Sequence, residues 1–271
     1  MLEPNRNSSI PESSHRKITI TMKKIIDSFS TRQTVLFLLL FVIMAASTIS
    51  ILGSINQKFM VYLPERGGSL SEGIFGNPRF INPILATGDA DRDLSTLVYA
   101  GLMKKLPNGE IVPDLAESYE VSEGGLTYTF KIKDNAVFHD KTPITADDVV
   151  FTVEKIKDSL IKSPMQAVWY GVVATNDSSD SRTVIFTLTQ PYASFLDNAT
   201  VGIIPKHIWG RVEPETFSFS DYNLNAVGSG PYSIKSIDQN KSGQIEEISL
   251  KLFSGFAGDM PFIKSIDFKF Y

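Results

Sequence analysis

The 271-residue sequence contains no cysteine. That absence excludes disulfide frameworks, thiolate metal sites, a cysteine nucleophile and a lipid-modified cysteine anchor. Histidine is nearly as scarce. His15, His139 and His207 are too few and too scattered for a His-built metal centre. No basic stripe with interleaved aromatics occurs, so nucleic acid is not an expected partner. Internal repeats and long low-complexity tracts are lacking as well. What is present reads as a globular chain: 42% hydrophobic and 21% charged residues give ample material for a core. The length suggests one to two domains at roughly 150 residues each.

Charge is unevenly distributed. Residues 1–34 hold six Lys/Arg against Glu3, Glu12 and Asp27, a net +3, whereas Gly53 onward holds 20 Lys/Arg against 27 Asp/Glu, a net −7. Between them, Val35 to Leu52 reads VLFLLLFVIMAASTISIL without one charge. As a helix it rises about 27 Å, just enough for a bilayer core of roughly 30 Å with its flanks. A soluble helix this apolar needs protein on every side. A cleaved signal peptide is the stronger competitor, but the preceding polar segment is long and no clean A-x-A site follows. We therefore expect an uncleaved transmembrane signal anchor over 35–55. Lys23, Lys24 and Arg32 on its N-terminal side place a basic tail, 1–34, in the cytoplasm. A linker, 56–66, then leads to an extracytoplasmic module, 67–271. The protein is thus expected in the cytoplasmic membrane, single-pass, with its bulk outside.

Periodicity outlines that module. Asp91-Arg92-Asp93 precedes Leu94, Leu97, Val98 and Leu102 at spacings of three and four, which predicts a helix with acidic residues at its positive end. Tyr119 and Val121 alternate with polar neighbours, Ser122–Gly125 turns the chain, and Tyr128, Phe130 and Ile132 share one face of a returning strand. Thr145-Ala146-Asp147-Asp148 resembles a capping box that opens a helix through Val149, Val153, Ile156 and Leu160. The stretch 176–182, NDSSDSR, reads as a polar loop. Thr183–Thr189 is again a strand, with Val184, Phe186 and Leu188 facing one way. Strands and helices mix without strict βαβ alternation, so the fold class is α+β (mixed α/β).

Candidate chemistry gives way to structural readings. Asp147 and Asp148 point about 100° apart on a helix and cannot converge on one atom, so they read as caps. His139-Asp140 could form an oriented base, but no G-x-S-x-G nucleophile accompanies it. Val227-Gly228-Ser229-Gly230-Pro231-Tyr232 lacks the Lys and Ser/Thr of a phosphate loop and reads as a tight turn entering a strand. A tethered module with no assembled catalytic set favours binding over catalysis.

The order of motifs then becomes informative. The chain runs GGSLSEGIFGNPRFINPIL (67–85), then LVYAGLMKKLPNGEIVPDLAESYEVSEGGLTYTFKIKDNAVFHDKTPITADDVVFTVEKI (97–156). QPYASFL (190–196), IIPKHIW (203–209) and VGSGPY (227–232) follow. This resembles the family 5 extracellular solute-binding proteins, the peptide, dipeptide and nickel receptors of ABC importers. Three departures stand out: Lys141 in place of Gly in FHDGTP, Tyr119 in place of Trp in LAESW, and Ser229 in place of Thr in GTGPY.

The resemblance implies a periplasmic-binding-protein-like (class II, cluster C) lobe one with an inserted subdomain. Members are usually about twice as long as 67–271, so it implies an incomplete domain whose second lobe is missing. It further implies a peptide ligand, ABC permease subunits as partners, no cofactor and no enzymatic activity. In peptide-binding members the ligand lies as an extra strand, its main chain supplying affinity. By position, the strand facing the ligand corresponds to Ala86–Ala90. Thr87, Gly88 and Asp89 are the expected contacts, Gly88 for close approach and Asp89 for a cationic group. Met165 and Trp169 are further candidates for the cleft wall, with a place in the core as the competing reading. A non-transporting ligand-sensing or scaffold ectodomain, or a receptor for nickel or another small solute, remains an alternative. An enzyme using His139 lacks a nucleophile or metal set.

Overall fold

The computed structural model describes residues 30–59 and 65–271, which fall into two separate units, Met1–Leu63 and Pro64–Tyr271. Most of the expected basic tail and residues 60–64 of the expected linker lie outside the described residues. In the first unit, helix α1 spans Thr31–Phe59, longer at both ends than the apolar run alone. Every apolar side chain from Val35 to Met44 is exposed, as is Ile49 through Leu52 wherever it is large and apolar. Residues 31–55 are long and apolar enough to cross a membrane.

The second unit is built on two four-stranded sheets. The first has order β1-β10-β9-β8, from Ser69–Ile74, Ser265–Phe270, Ile245–Leu252 and Tyr232–Gln239. Only β1 and β10 run parallel in it. The second sheet, wholly antiparallel, has order β4-β5-β7-β6, from Ala116–Val121, Thr127–Ile132, Asp180–Leu188 and Val172–Asp177. It lies in the chain between β1 and β8, as an insertion into the first sheet. A short ribbon, β2 (Met103–Lys105) with β3 (Ile111–Pro113), precedes it.

The alternating pattern of β5 and β7 produces the core of the second sheet. Tyr128, Phe130 and Ile132 are buried together with Val184, Phe186 and Leu188, and Tyr128 sits opposite Phe186, Phe130 opposite Val184. Each such side chain removed from water contributes about 1.5–3 kcal/mol. Helix α3, Ala146–Lys157, buries Val149, Val153 and Ile156. Its start is fixed by Asp148, whose carboxylate accepts from the Thr145 N–H and hydroxyl, both at 2.9 Å. The other Asp148 oxygen accepts the Lys206 N–H at 2.9 Å, joining the TADDV and PKH motifs. Asp147 instead meets Lys206 Nζ at 3.2 Å and Asn176 Nδ2 at 2.7 Å. The two aspartates therefore diverge, as helix geometry requires.

Three boundaries differ from the sequence-based expectation. Helix α2 covers Asp89–Val98 and stops there, so Leu102 lies beyond it. Helix α3 ends at Lys157, leaving Leu160 exposed in the following turn. The 176–182 stretch is mostly strand: β6 and β7 close through Ser178-Ser179, with Ser179 N–H and hydroxyl both bonded to Asp177.

The three departures from the family pattern have visible consequences. Lys141 adopts φ +71° at the turn where Phe138 N–H reaches the Thr142 carbonyl at 2.9 Å, a left-handed position that suits glycine. Tyr119 stacks on Phe130 with centroids 5.6 Å apart. The hydroxyl retained at Ser229 accepts the Ala100 N–H at 3.3 Å.

Candidate ligand-binding face

The segment after Asn82-Pro83 is not a strand. Residues 83–85 form a turn, 86–88 are irregular, and α2 begins at Asp89. The cause is Asn82, which is fully buried. Its side-chain oxygen accepts the Ile84 N–H at 3.1 Å, and its carbonyl accepts the N–H groups of Leu85 and Ala86. Those bonds curl the chain before it can extend. Thr87, Gly88 and Asp89 are all exposed.

Two of the three expected contacts are already engaged within the chain. Arg92 donates to the Thr87 carbonyl at 2.6 Å and pairs with the Asp89 carboxylate. A cation for Asp89 is thus supplied by its own helix. Gly88 has φ −74°, and a methyl group there would meet Asp91 Oδ2 at an ordinary 3.5 Å. Nothing in this chain's own geometry demands glycine at that position.

Met165 comes next to this segment through Ser163. The buried Ser163 hydroxyl donates to the Ile84 carbonyl at 2.7 Å and lies 3.3 Å from the Met165 N–H. Met165 and Ala86 then share a groove of about 560 Å³, whose rim includes Arg92 and Lys105. Its floor is made where two glycines let chains cross. A methyl group on Gly101 would sit 2.5 Å from the Thr200 carbonyl oxygen, and one on Gly202 would sit 2.5 Å from Tyr99 Cβ. At one end burial raises the Asp114 carboxyl above its usual range, against the pull of Lys104 Nζ 3.8 Å away. Sequence reasoning missed Arg92, Ser163 and this crossing. The apolar-flanked glycines of YAGLM and TVGII were the available signal.

Trp169 does not line this groove. It is 1% exposed and packs 6.0 Å from both Phe186 and Phe195. Its place is the aromatic core behind the second sheet. His139 is likewise structural: Gly228 N–H reaches Nδ1 at 3.3 Å, Nε2 faces the Gly230 carbonyl at 3.1 Å, and burial depresses its pKa below the usual value. Both ring nitrogens are occupied by backbone, leaving none for a substrate. Among the described residues no group of three His, Cys, Asp or Glu could hold a metal ion.

Residues 110–271 match the model for bacterial extracellular solute-binding proteins, family 5. The chain belongs to that family. Its relatives include the oligopeptide-binding protein AppA of Bacillus subtilis, 31% identical over 209 residues, which cover 76% of this chain and 37% of AppA. The structure of AppA in complex with a nonapeptide superposes with a TM-score of 0.70 at 29% identity, over 77% of this chain and 41% of that one. NikZ from Campylobacter jejuni, in complex with Ni(L-His), gives a TM-score of 0.65 at 28% identity, over 75% and 39%. The family 5 chain described here therefore spans about two fifths of the length of such relatives, and its fold is that of periplasmic binding proteins. The family is one of solute receptors.

Proposed function

We propose that this family 5 chain contributes the peptide-capturing face of an ABC importer's substrate-binding component, held outside the cytoplasmic membrane. The observation that carries the reading is the groove in which Ala86, Met165 and Arg92 meet. Its volume is that of a small-ligand site, and its walls mix apolar surface with a few polar groups. Likeness to AppA, solved with a nonapeptide, points to a peptide as the occupant. A peptide main chain brings N–H and C=O groups that serve any sequence, and a flexible methionine adapts to different side chains. Helix α1 acts as the tether in this reading, and permease subunits receive the ligand.

Isothermal titration of the full chain with pools of di- to nonapeptides tests the proposal. Binding is expected, and Met165→Arg, which places a long cation in the groove, should weaken it by at least ~10-fold, or ~1.4 kcal/mol. Absence of binding to every pool refutes the reading. The likeness to NikZ favours one other ligand, a nickel–histidine chelate. Titration with that chelate separates the two.

A further inference from the structure

A second groove, sharing no residue with the first, runs between the 3₁₀ turns Pro214–Phe219 and Asp221–Asn223, the end of β8 and residues 77–80. It consists of two adjoining hollows of about 440 and 610 Å³ that share Arg79, Ser218, Leu224 and Gln239. Each alone has room for a small organic ligand.

The walls are held rigid from behind. Asp91 Oδ1 accepts the N–H groups of Arg79 and Phe80 at 2.7 and 3.1 Å. The buried Asn223 side chain accepts from Asn82 Nδ2 at 3.1 Å and donates to the Phe217 carbonyl at 2.8 Å. Beneath them Trp209 packs 4.4 Å from Phe217 and 5.8 Å from Tyr222. A surface fixed in advance loses little entropy when it binds.

The groove's own side chains, by contrast, have unspent hydrogen-bonding capacity. Arg79 lies over the Phe80 ring at 5.2 Å and has no carboxylate partner among the described residues. Asp221 has no cationic partner among the described residues, and within them the side chains of Ser218, Asn225 and Gln239 make no hydrogen bond. Phe219 is 84% exposed on the same wall, although Phe217 two residues earlier is fully buried.

Guanidinium, carboxylate and carboxamide groups each present two hydrogen-bonding atoms in one plane. That arrangement suits adjacent hydroxyls on a ring, which both donate and accept. An exposed aromatic face gives the C–H side of such a ring a place to lie. A phosphate would be repelled by Asp221, and an apolar side chain would cover Arg79, Asp221, Asn225 and Gln239 without giving them a hydrogen-bond partner. We propose that this groove binds a saccharide, taking one or two rings of an uncharged, hydroxyl-rich glycan. The assignment is independent of the peptide reading of the first groove.

The test uses the full chain in a zwitterionic, sugar-free detergent, with cellotetraose, maltotetraose and fully N-acetylated chitotetraose as probes in ligand-observed saturation-transfer NMR. At least one should bind with a Kd of about 5 mM or tighter. Phe219→Ala and Gln239→Ala should each weaken that binding ~10-fold while leaving the thermal midpoint unchanged. An excess of nonapeptide should not displace the sugar. Failure of all three sugars to bind overturns the assignment. So does binding that neither substitution moves, or sugar displaced by peptide.

Discussion

Gly228→Ala is the sharpest single perturbation this structure offers. In VGSGPY the chain passes directly over the end of α2, and a methyl group on Gly228 would sit 2.0 Å from the Val98 carbonyl oxygen and 2.8 Å from its carbon. Optimal contact for such atoms is about 3.5 Å, so one backbone must move by roughly 1.5 Å. Overpacking of this kind costs about 1–3 kcal/mol. The same movement strains the Gly228 carbonyl bond from His139 N–H at 2.8 Å and the N–H bond to His139 Nδ1. Two weakened hydrogen bonds add about 1–3 kcal/mol. The total, about 2–6 kcal/mol, is a large fraction of a domain stability of roughly 5–15 kcal/mol. Gly243→Ala supplies the control. That residue has φ +82° but nothing within 4 Å of the added methyl, so it tests backbone strain alone, at about 1–2 kcal/mol. Thermal and urea denaturation of the two variants should show Gly228→Ala much the less stable. Equal midpoints would falsify the claim that close chain crossing, and not backbone conformation, demands glycine in this motif.

Other outcomes follow from single residues. Lys141→Gly should stabilise the protein by about 0.5–1 kcal/mol, because it relieves a left-handed lysine at a net gain over the added chain entropy; a lower thermal midpoint would contradict this. His139 sets a pH dependence whose sign can be worked out. Burial lowers its pKa from 6.5, with the Gly230 hydrogen bond and Asp140 pulling the other way. The unfolded chain therefore takes up the proton first, and the stability present above pH 6.5 is lost as pH falls through that value. Between about pH 7.5 and 5.5 the midpoint of the wild type should fall more than that of His139→Gln; parallel profiles would assign the acid sensitivity elsewhere.

Local patterns carried the strands well. Tyr128, Phe130 and Ile132 alternate in the sequence and are buried in register with Val184, Phe186 and Leu188, because one face of that sheet meets the core and the other meets solvent. Helix ends were less legible. Leu102 continues the spacing of Leu94 and Val98, yet the helix breaks where Tyr99 turns extended and Gly101 passes the Thr200 carbonyl. That contact spans about a hundred residues, and no local rule contains it. The same reason hid most of the candidate site. Met165 and the 86–90 segment were marked by position in a family pattern, but what unites them is a serine hydroxyl on the Ile84 carbonyl. Serine in a polar stretch carries no signal that its partner lies 79 residues away.

The glycines point to a more readable code. Gly101, Gly202, Gly228 and Gly230 all stand beside apolar residues or in a short motif, none has a left-handed backbone, and each admits another backbone or side chain within 3 Å of where a methyl group would be. Gly67, Gly109 and Gly243, in polar surroundings, have positive φ and open space. Glycine thus plays two separable parts in this chain, turning it in one setting and letting it cross itself in the other. The crossings form the floor of the first groove and fasten β8 to the end of α2, through Gly230 N–H to the Val98 carbonyl at 2.8 Å. A floor in which Gly101 meets the Thr200 backbone and Gly202 meets Tyr99 Cβ this closely has no room for a larger side chain at either glycine. If the first groove holds the peptide as proposed, selectivity comes from the rim, from Met165 and Arg92 outward, and it is there that variation should alter the ligand without altering the fold.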